Sequence, residues 1–293
     1  MISMDNYDFG HVSTGSFVLL GIGAFLAIVI PVIVAVIWCR KKKEPFTTVL
    51  IGAATFMLFA VVLEKPLQNI LIFPVQMGLP EHAASAFISA RPVLWGFLVG
   101  FFPGLFEETG RFVAYKTLLR KRKQRETSIS HGIGHGGFEV MLIIGLNLVS
   151  YIMMGLMINN GSIAAEINKA LETAPMPGMA EQITATLDQV SSFNIATLGV
   201  TVIDRVIAVL YHTGASILVF YACKDKKKFW LYPFAIVIHT LVDGFLGLQM
   251  AGLFTLPNWA NEVIFGTVSL ATFFGGYILL YRKDKKGIQK TSN

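Results

Sequence analysis

Four apolar stretches of the sequence each carry polar side chains one helical turn apart. They are Glu107 and Arg111 in "EETGR", His135 and Glu139 in "HGGFE", His212 and Ser216 in "HTGAS", and His239 and Asp243 in "HTLVD". Residues four apart share one helix face, so each pair can point inward together. Glu107 is followed directly by a second carboxylate, Glu108. Carboxylates and imidazoles in an apolar setting are the groups that hydrolysis needs: a base for water, a donor for the developing oxyanion, and an acid for the leaving amine. On residue type and spacing, Glu107 is the candidate base, helped by His212. His239 and Asp243 are candidates for oxyanion or orienting contacts. Glu108, Arg111, His135 and Glu139 are candidates to hold or protonate that inner set.

The four stretches also agree in depth. Glu107 lies 13 residues before Arg120, and Glu139 lies 14 after Arg125. His212 lies 12 before Lys224, and His239 lies 11 after Lys228. Arg120, Arg125, Lys224 and Lys228 bound clusters of basic residues. At about 1.5 Å per helical residue, the four groups sit some 16–21 Å from those clusters. Burying one charge at mid-membrane costs at least about 2.5–3.5 kcal/mol. A coincidence of so many at one depth therefore points to a functional polar cavity.

The elements that must position them are membrane helices. Of the 293 residues, 54% are hydrophobic and only 14% charged, and the mean hydropathy is +0.62. Water-soluble domains carry roughly 25% charged residues. Apolar runs at about 15–39, 46–72, 92–119, 129–157, 194–223, 229–250 and 259–281 are long enough to span a bilayer, which takes about 20 helical residues. The fold class is an all-α, polytopic bundle of about seven transmembrane helices forming one integral-membrane domain over 1–293.

Charge placement orients it. Eighteen of the 24 Lys and Arg fall in "RKKK" (40–43), "RKRKQR" (120–125), "KDKKK" (224–228) and "RKDKKGIQK" (282–290), each directly after an apolar run. Such clusters mark cytoplasmic loops, giving an N-out, C-in topology with a basic cytoplasmic tail at 284–293. Anionic lipid, rather than nucleic acid, is the expected partner of this charge. The location implied is a bacterial-type plasma membrane. The first twelve residues hold two Asp and no Lys or Arg, the wrong start for a cleaved signal, so the first run is expected to stay as a helix. Residues 82–91 are expected to form an interfacial or re-entrant piece before a long span carrying Pro103.

Two further features complete the pattern. The loop at 158–193 repeats Ile183, Leu187 and Val190 on a polar background, which predicts an amphipathic hairpin on the outer surface. Glu64–Lys65 sits near a helix end and is expected to reach the interface, and Asp204–Arg205 to be a structural pair in the outer half. Cys39 and Cys223 both fall at cytoplasmic helix ends, where no disulfide is expected.

The ordered motifs at 107–111, 135–139, His212 and 239–243 resemble the YhfC-like membrane peptidases, in the superfamily of CAAX-type glutamic intramembrane proteases, PrsW-type proteases and the gamma-secretase scaffold subunit APH. The resemblance covers residues 107–243, about half the chain. Arg111 stands one position closer than in CAAX-type members, and Ala208 stands where their Phe precedes the second-motif His. The resemblance is thus closer to the YhfC and PrsW branches, and prenylated substrates are not implied. It implies intramembrane hydrolysis of a membrane protein or peptide, with Glu107 activating water. The expected mechanism is metal-free, with no cofactor. The alternative is a zinc site on His135, His212 and His239, chemically adequate ligands without an HExxH motif. A proton-coupled transporter and a non-catalytic scaffold are the other readings. The first lacks an inverted repeat in the sequence, and the second has no need of two adjacent carboxylates.

Overall fold

Helix ends in this chain coincide with its charge clusters. The computed structural model describes residues 7–173 and 179–284. Its first helix, α1 (Thr14–Lys42), starts where the Ser13 side chain accepts from the Ser16 amide. It ends on Arg40, Lys41 and Lys42, with Lys43 left-handed at φ 55°. Cations in a last turn oppose the helix dipole favourably. The second crossing is α2 (Thr47–Phe56), a π-helical stretch Met57–Glu64 and α3 (Lys65–Leu71). A short helix α4 (Ala83–Ser89) then meets α5 (Pro92–Lys116) at 110°. This bent pair is the piece expected near 82–91 and the span behind it.

The fourth crossing joins α6 (Glu126–Glu139), a π-helical stretch Val140–Gly145 and α7 (Leu146–Asn159). Two amphipathic helices, α8 (Ile163–Thr173) and α9 (Met179–Ser191), follow. The last three crossings are α10 (Ile195–Lys224), α11 (Leu231–Met250), and α12 (Asn258–Gly276) continued by a π-helical turn Tyr277–Tyr281. Among the described residues there is no strand. Among the described residues, six crossings are long and apolar enough to span a membrane by themselves, and there are seven if the bent α4–α5 pair is one span. The protein is an integral, multi-pass, all-α membrane protein.

The bundle is greasy outside and polar within. Val18, Phe25, Leu50, Val93 and Ile203 stand on its exposed surface. By contrast α6 is buried all round from Thr127 to Gly137, and α10 from Tyr211 to Ala222. Helices buried on every side belong at the centre. Close approach is built from glycine: a Cβ on Gly134 would lie 2.0 Å from the Val49 carbonyl, and one on Gly52 2.2 Å from the His131 carbonyl. α2 and α6 therefore touch backbone to backbone. The same device brings α5 onto α11 at Gly100 and Gly244.

At the end away from the basic clusters, Ile163, Ile167, Leu187 and Val190 pack with Val12 and Ile158. Within 158–193, where the sequence leads one to expect an amphipathic hairpin, the described residues form α8 and α9. Asn159 clamps the N-terminal segment by accepting from the Val12 amide at 2.9 Å and donating to its carbonyl at 2.8 Å. Both cysteines are free thiols. Of the expected basic tail 284–293, residues 285–293 lie outside the described residues. One expectation is corrected here: Glu64 does not reach the interface. Its side chain is 1% exposed while that of Lys65 is 54% exposed, because adjacent helical residues point about 100° apart.

Candidate active site

Helices α6, α10 and α11 each bring a histidine against the charged groups of α5. Glu107, Glu108 and Arg111 of α5, His135 of α6, His212 of α10 and His239 of α11 are all buried. Neighbouring positions on α5 serve two sides of the helix. From Glu107, Oε2 faces α6 and accepts from His135 Nε2 at 2.9 Å. Glu108 faces α11, where its Oε1 accepts from His239 Nδ1 at 2.9 Å. His239 Nε2 in turn stands 3.3 Å from Asp243 Oδ2. The ring is thus clamped between two carboxylates.

Arg111 ties the two sides together. Its Nη1 donates to Glu108 Oε1 at 2.6 Å and its Nη2 donates to His212 Nδ1 at 2.6 Å. Nη2 is also 3.5 Å from Glu107 Oε2. A guanidinium has donors only, so His212 Nδ1 is an acceptor and its proton sits on Nε2. That nitrogen is 2.5 Å from Glu139 Oε2, a close ion-pair contact rather than an aligned hydrogen bond. Glu139 thereby fixes the tautomer that leaves the Nδ1 lone pair to accept from Arg111. The contact across α6 and α10 is permitted by Gly136, where a Cβ would lie 3.0 Å from His212 Cβ.

Glu107, His135 and His212 emerge as a potential cation site. One donor atom from each residue lies within 4.8 Å of the others. Three ligands with an open fourth position is the arrangement of catalytic zinc sites. The sequence alternative named His135, His212 and His239; the structure groups His135 and His212 with Glu107, while His239 lies against Glu108. A cavity of about 170 Å³ opens beside this cluster, lined by Glu107, Glu139, Tyr211, His212, His239 and Asp243 among others.

Residues 26–265 match the family described as YhfC intramembrane metalloprotease. The chain belongs to this family. It is also similar to the Uncharacterized membrane protein YhfC of Bacillus subtilis (strain 168), 28% identical over 233 residues. That match covers 79% of this chain and 84% of the relative. No solved structure matches the chain.

The family's description includes a metal, and the donor set of this member fits one. Buried oxygen and imidazole donors suit a divalent cation such as zinc, and Glu139 supplies the outer carboxylate that orients a metal-binding His. Arg111 places a permanent positive charge against the same atoms, which opposes a second cation there.

Two residues of the site, His131 and Tyr211, escaped the sequence reading. His131 is fully buried one turn before His135, its Nδ1 3.1 Å from Ser216 Oγ and its Nε2 3.4 Å from Thr55 Oγ1. The signal was its four-residue spacing from His135. Ser216, expected to accompany His212 inward, serves His131 instead. Tyr211 had no signal beyond adjacency to His212, since tyrosine is ordinary in such a helix. Arg205, expected to be only structural, pairs with Asp204 and also reaches 4.0 Å from Glu139 at the cavity edge.

Proposed function

We propose that this protein is a membrane-embedded endopeptidase that hydrolyses a peptide bond of a membrane-associated protein or peptide. The observation that carries the reading is the convergence of Glu107, His135 and His212 donor atoms beside a cavity that Glu139, His239 and Asp243 also line. Water adds to the carbonyl carbon as Glu107 takes its proton. The C–N bond then breaks as that proton passes to the leaving nitrogen. His135 holds the Glu107 carboxylate, Glu139 holds His212, and Arg111 balances the adjacent carboxylates. A divalent cation bound by Glu107, His135 and His212 would supply Lewis acidity toward the carbonyl and the water. Anionic headgroups are the partners proposed for the basic clusters.

The test uses purified protein in proteoliposomes with a library of quenched fluorogenic membrane peptides. Wild type should cleave members of the library, and Glu107→Gln should lower the rate by roughly 10²–10⁴. Loss of cleavage on chelation, restored by zinc, supports the metal-dependent route. A second, metal-free route is favoured by one observation, the Arg111 contact to His212 Nδ1, and cleavage untouched by chelators would select it. Full activity in Glu107→Gln, or no cleavage by wild type, overturns the peptidase reading.

A further inference from the structure

Two cavities of the bundle share one side chain. The cavity beside Glu107 takes Asp204, Arg205, Ala208, Tyr211 and His212 from α10. A second cavity, of about 470 Å³, is a groove between α1, α6 and α10, and Val206, Val209 and Leu210 of α10 belong to it. Arg205 lines both. Apart from Arg205 and Thr201, the groove is walled by apolar side chains and glycine. It lies on the membrane face, with Ile30, Val34, Val202 and Val206 exposed.

The wall between groove and cavity changes character along its length. Toward the basic clusters, α6 and α10 meet backbone to backbone. A Cβ on Gly132 would lie 2.5 Å from Thr213 Cα, and one on Gly136 3.2 Å from Val209 Cα. One turn further out, long side chains meet instead. Arg205 Nη1 stands 4.0 Å from Glu139 Oε1, past hydrogen-bond distance. The π-helical stretch Val140–Gly145 begins at this level, and its Val140 and Ile144 wall the groove. Such stretches are frequent at functional sites. Arg205 donates from Nε and Nη2 to Asp204, and its side chain is 22% exposed. At this point a movable side chain, not packed backbone, stands between the membrane face and the cavity.

We propose that this groove seats an apolar, membrane-embedded segment of the peptide substrate, and that Arg205 is the junction through which the residues beside that segment reach Glu107. The proposal rests on the peptidase reading and adds to it the class of substrate. Along α10 the groove runs from Leu198 to Leu210, about 18 Å at the helical rise. That is more than half of a hydrocarbon core of about 30 Å. An acyl chain would suit the apolar walls equally well but has nothing to offer a guanidinium, which carries donors alone. A peptide drawn out of a membrane helix has carbonyls that need donors. It therefore matches both the apolar walls and the charged junction, and an acyl chain matches only the walls.

The test begins with photo-cross-linking, which needs no cleavage. Benzoylphenylalanine replaces Val206 in the groove, or Val200 on an exposed part of α10 outside it, in Glu107→Gln protein held in nanodiscs. The probe is a biotinylated apolar peptide from the library, about 20 residues long so that it spans the membrane. Position 206 should capture it, position 200 should not, and unlabelled peptide should compete. In the otherwise wild-type protein, Val206→Trp should raise KM for this peptide by roughly tenfold with kcat held, and leave KM unchanged for the same peptide trimmed of its apolar segment. Val200→Trp should change neither. Arg205→Leu should keep the cross-link at position 206 and lower kcat by roughly tenfold, since the segment docks but is not delivered. Equal capture at 206 and 200, or capture of lipid alone, overturns the proposal and leaves the peptidase reading intact. Equal KM rises for both peptides in Val206→Trp also overturn it, because the bulk then disturbs the site itself. Wild-type kcat in Arg205→Leu overturns the junction. Competed capture at position 206 with no cleavage by wild type supports the groove as a peptide site and overturns the peptidase reading.

Discussion

Glu139 shows how much one carboxylate can decide without touching a substrate. Its contact to His212 Nε2 sets which ring nitrogen keeps a lone pair, and that lone pair accepts from Arg111. Orienting partners of this kind typically cost about 10–100-fold in metal affinity or activity when lost. Glu139→Gln is therefore expected to lower peptide cleavage by roughly that factor, with the fold intact by thermal melting. Wild-type turnover in this variant would deny Glu139 its orienting role. Depth and helical spacing made Glu107, His135, His212 and His239 legible, because both follow from counting residues. Which imidazole pairs with which carboxylate was not legible. That depends on helix rotation, and Glu107 and Glu108 face opposite neighbours although adjacent in sequence. Glu64 was misplaced for the same reason, its neighbour Lys65 being the one that faces out.

At the scale of elements, the chain between α1 and α2 carries a buried acid. Glu44 is 5% exposed and accepts from Thr127 Oγ1 at 3.3 Å and Thr48 Oγ1 at 3.4 Å, joining α6 to the start of α2. Burial pushes its carboxyl up from the ordinary glutamate value, opposed in part by the Thr127 and Thr48 hydroxyls and the Arg122 charge. A carboxyl with a raised folded-state value binds its proton more tightly folded than unfolded. It is neutral in folded and unfolded chains alike well below the ordinary range, and costs stability as pH rises above it. Glu44→Gln keeps the shape and removes the charge. Its thermal midpoint should exceed wild type at about pH 8 and converge with it below about pH 4. A lower midpoint at the alkaline end would mean that the hydrogen bonds to the ionised form outweigh its desolvation. The helices themselves were largely legible as apolar runs, whereas the π-helical stretches were not, since they depend on how neighbours pack against each turn.

For the whole molecule, the basic clusters at 40–43, 120–125 and 224–228 all fall at one end of the bundle, and the α8–α9 hairpin at the other. Reporter fusions after residues 43, 126 and 226 are expected to read cytoplasm, and a fusion near 175 the outside. A fusion at 126 reading outside would break the depth argument that links the four helices. Number and order of crossings followed from hydropathy and charge alone; the central burial of α6 and α10 followed from neither, because it arises from glycine contacts across helices. The π-helical stretch Val140–Gly145 lies between these two ends. Such a stretch holds an extra residue within a continuous helix, and one residue is worth about 100° of rotation. It acts as a phase adjuster on a single shaft: α6 keeps the angle demanded by α2 and α10, while α7 takes the angle demanded by α1 and α9. Insertions or deletions confined to this stretch would then re-time the hairpin end of the bundle against α1 without turning His135 away from Glu107.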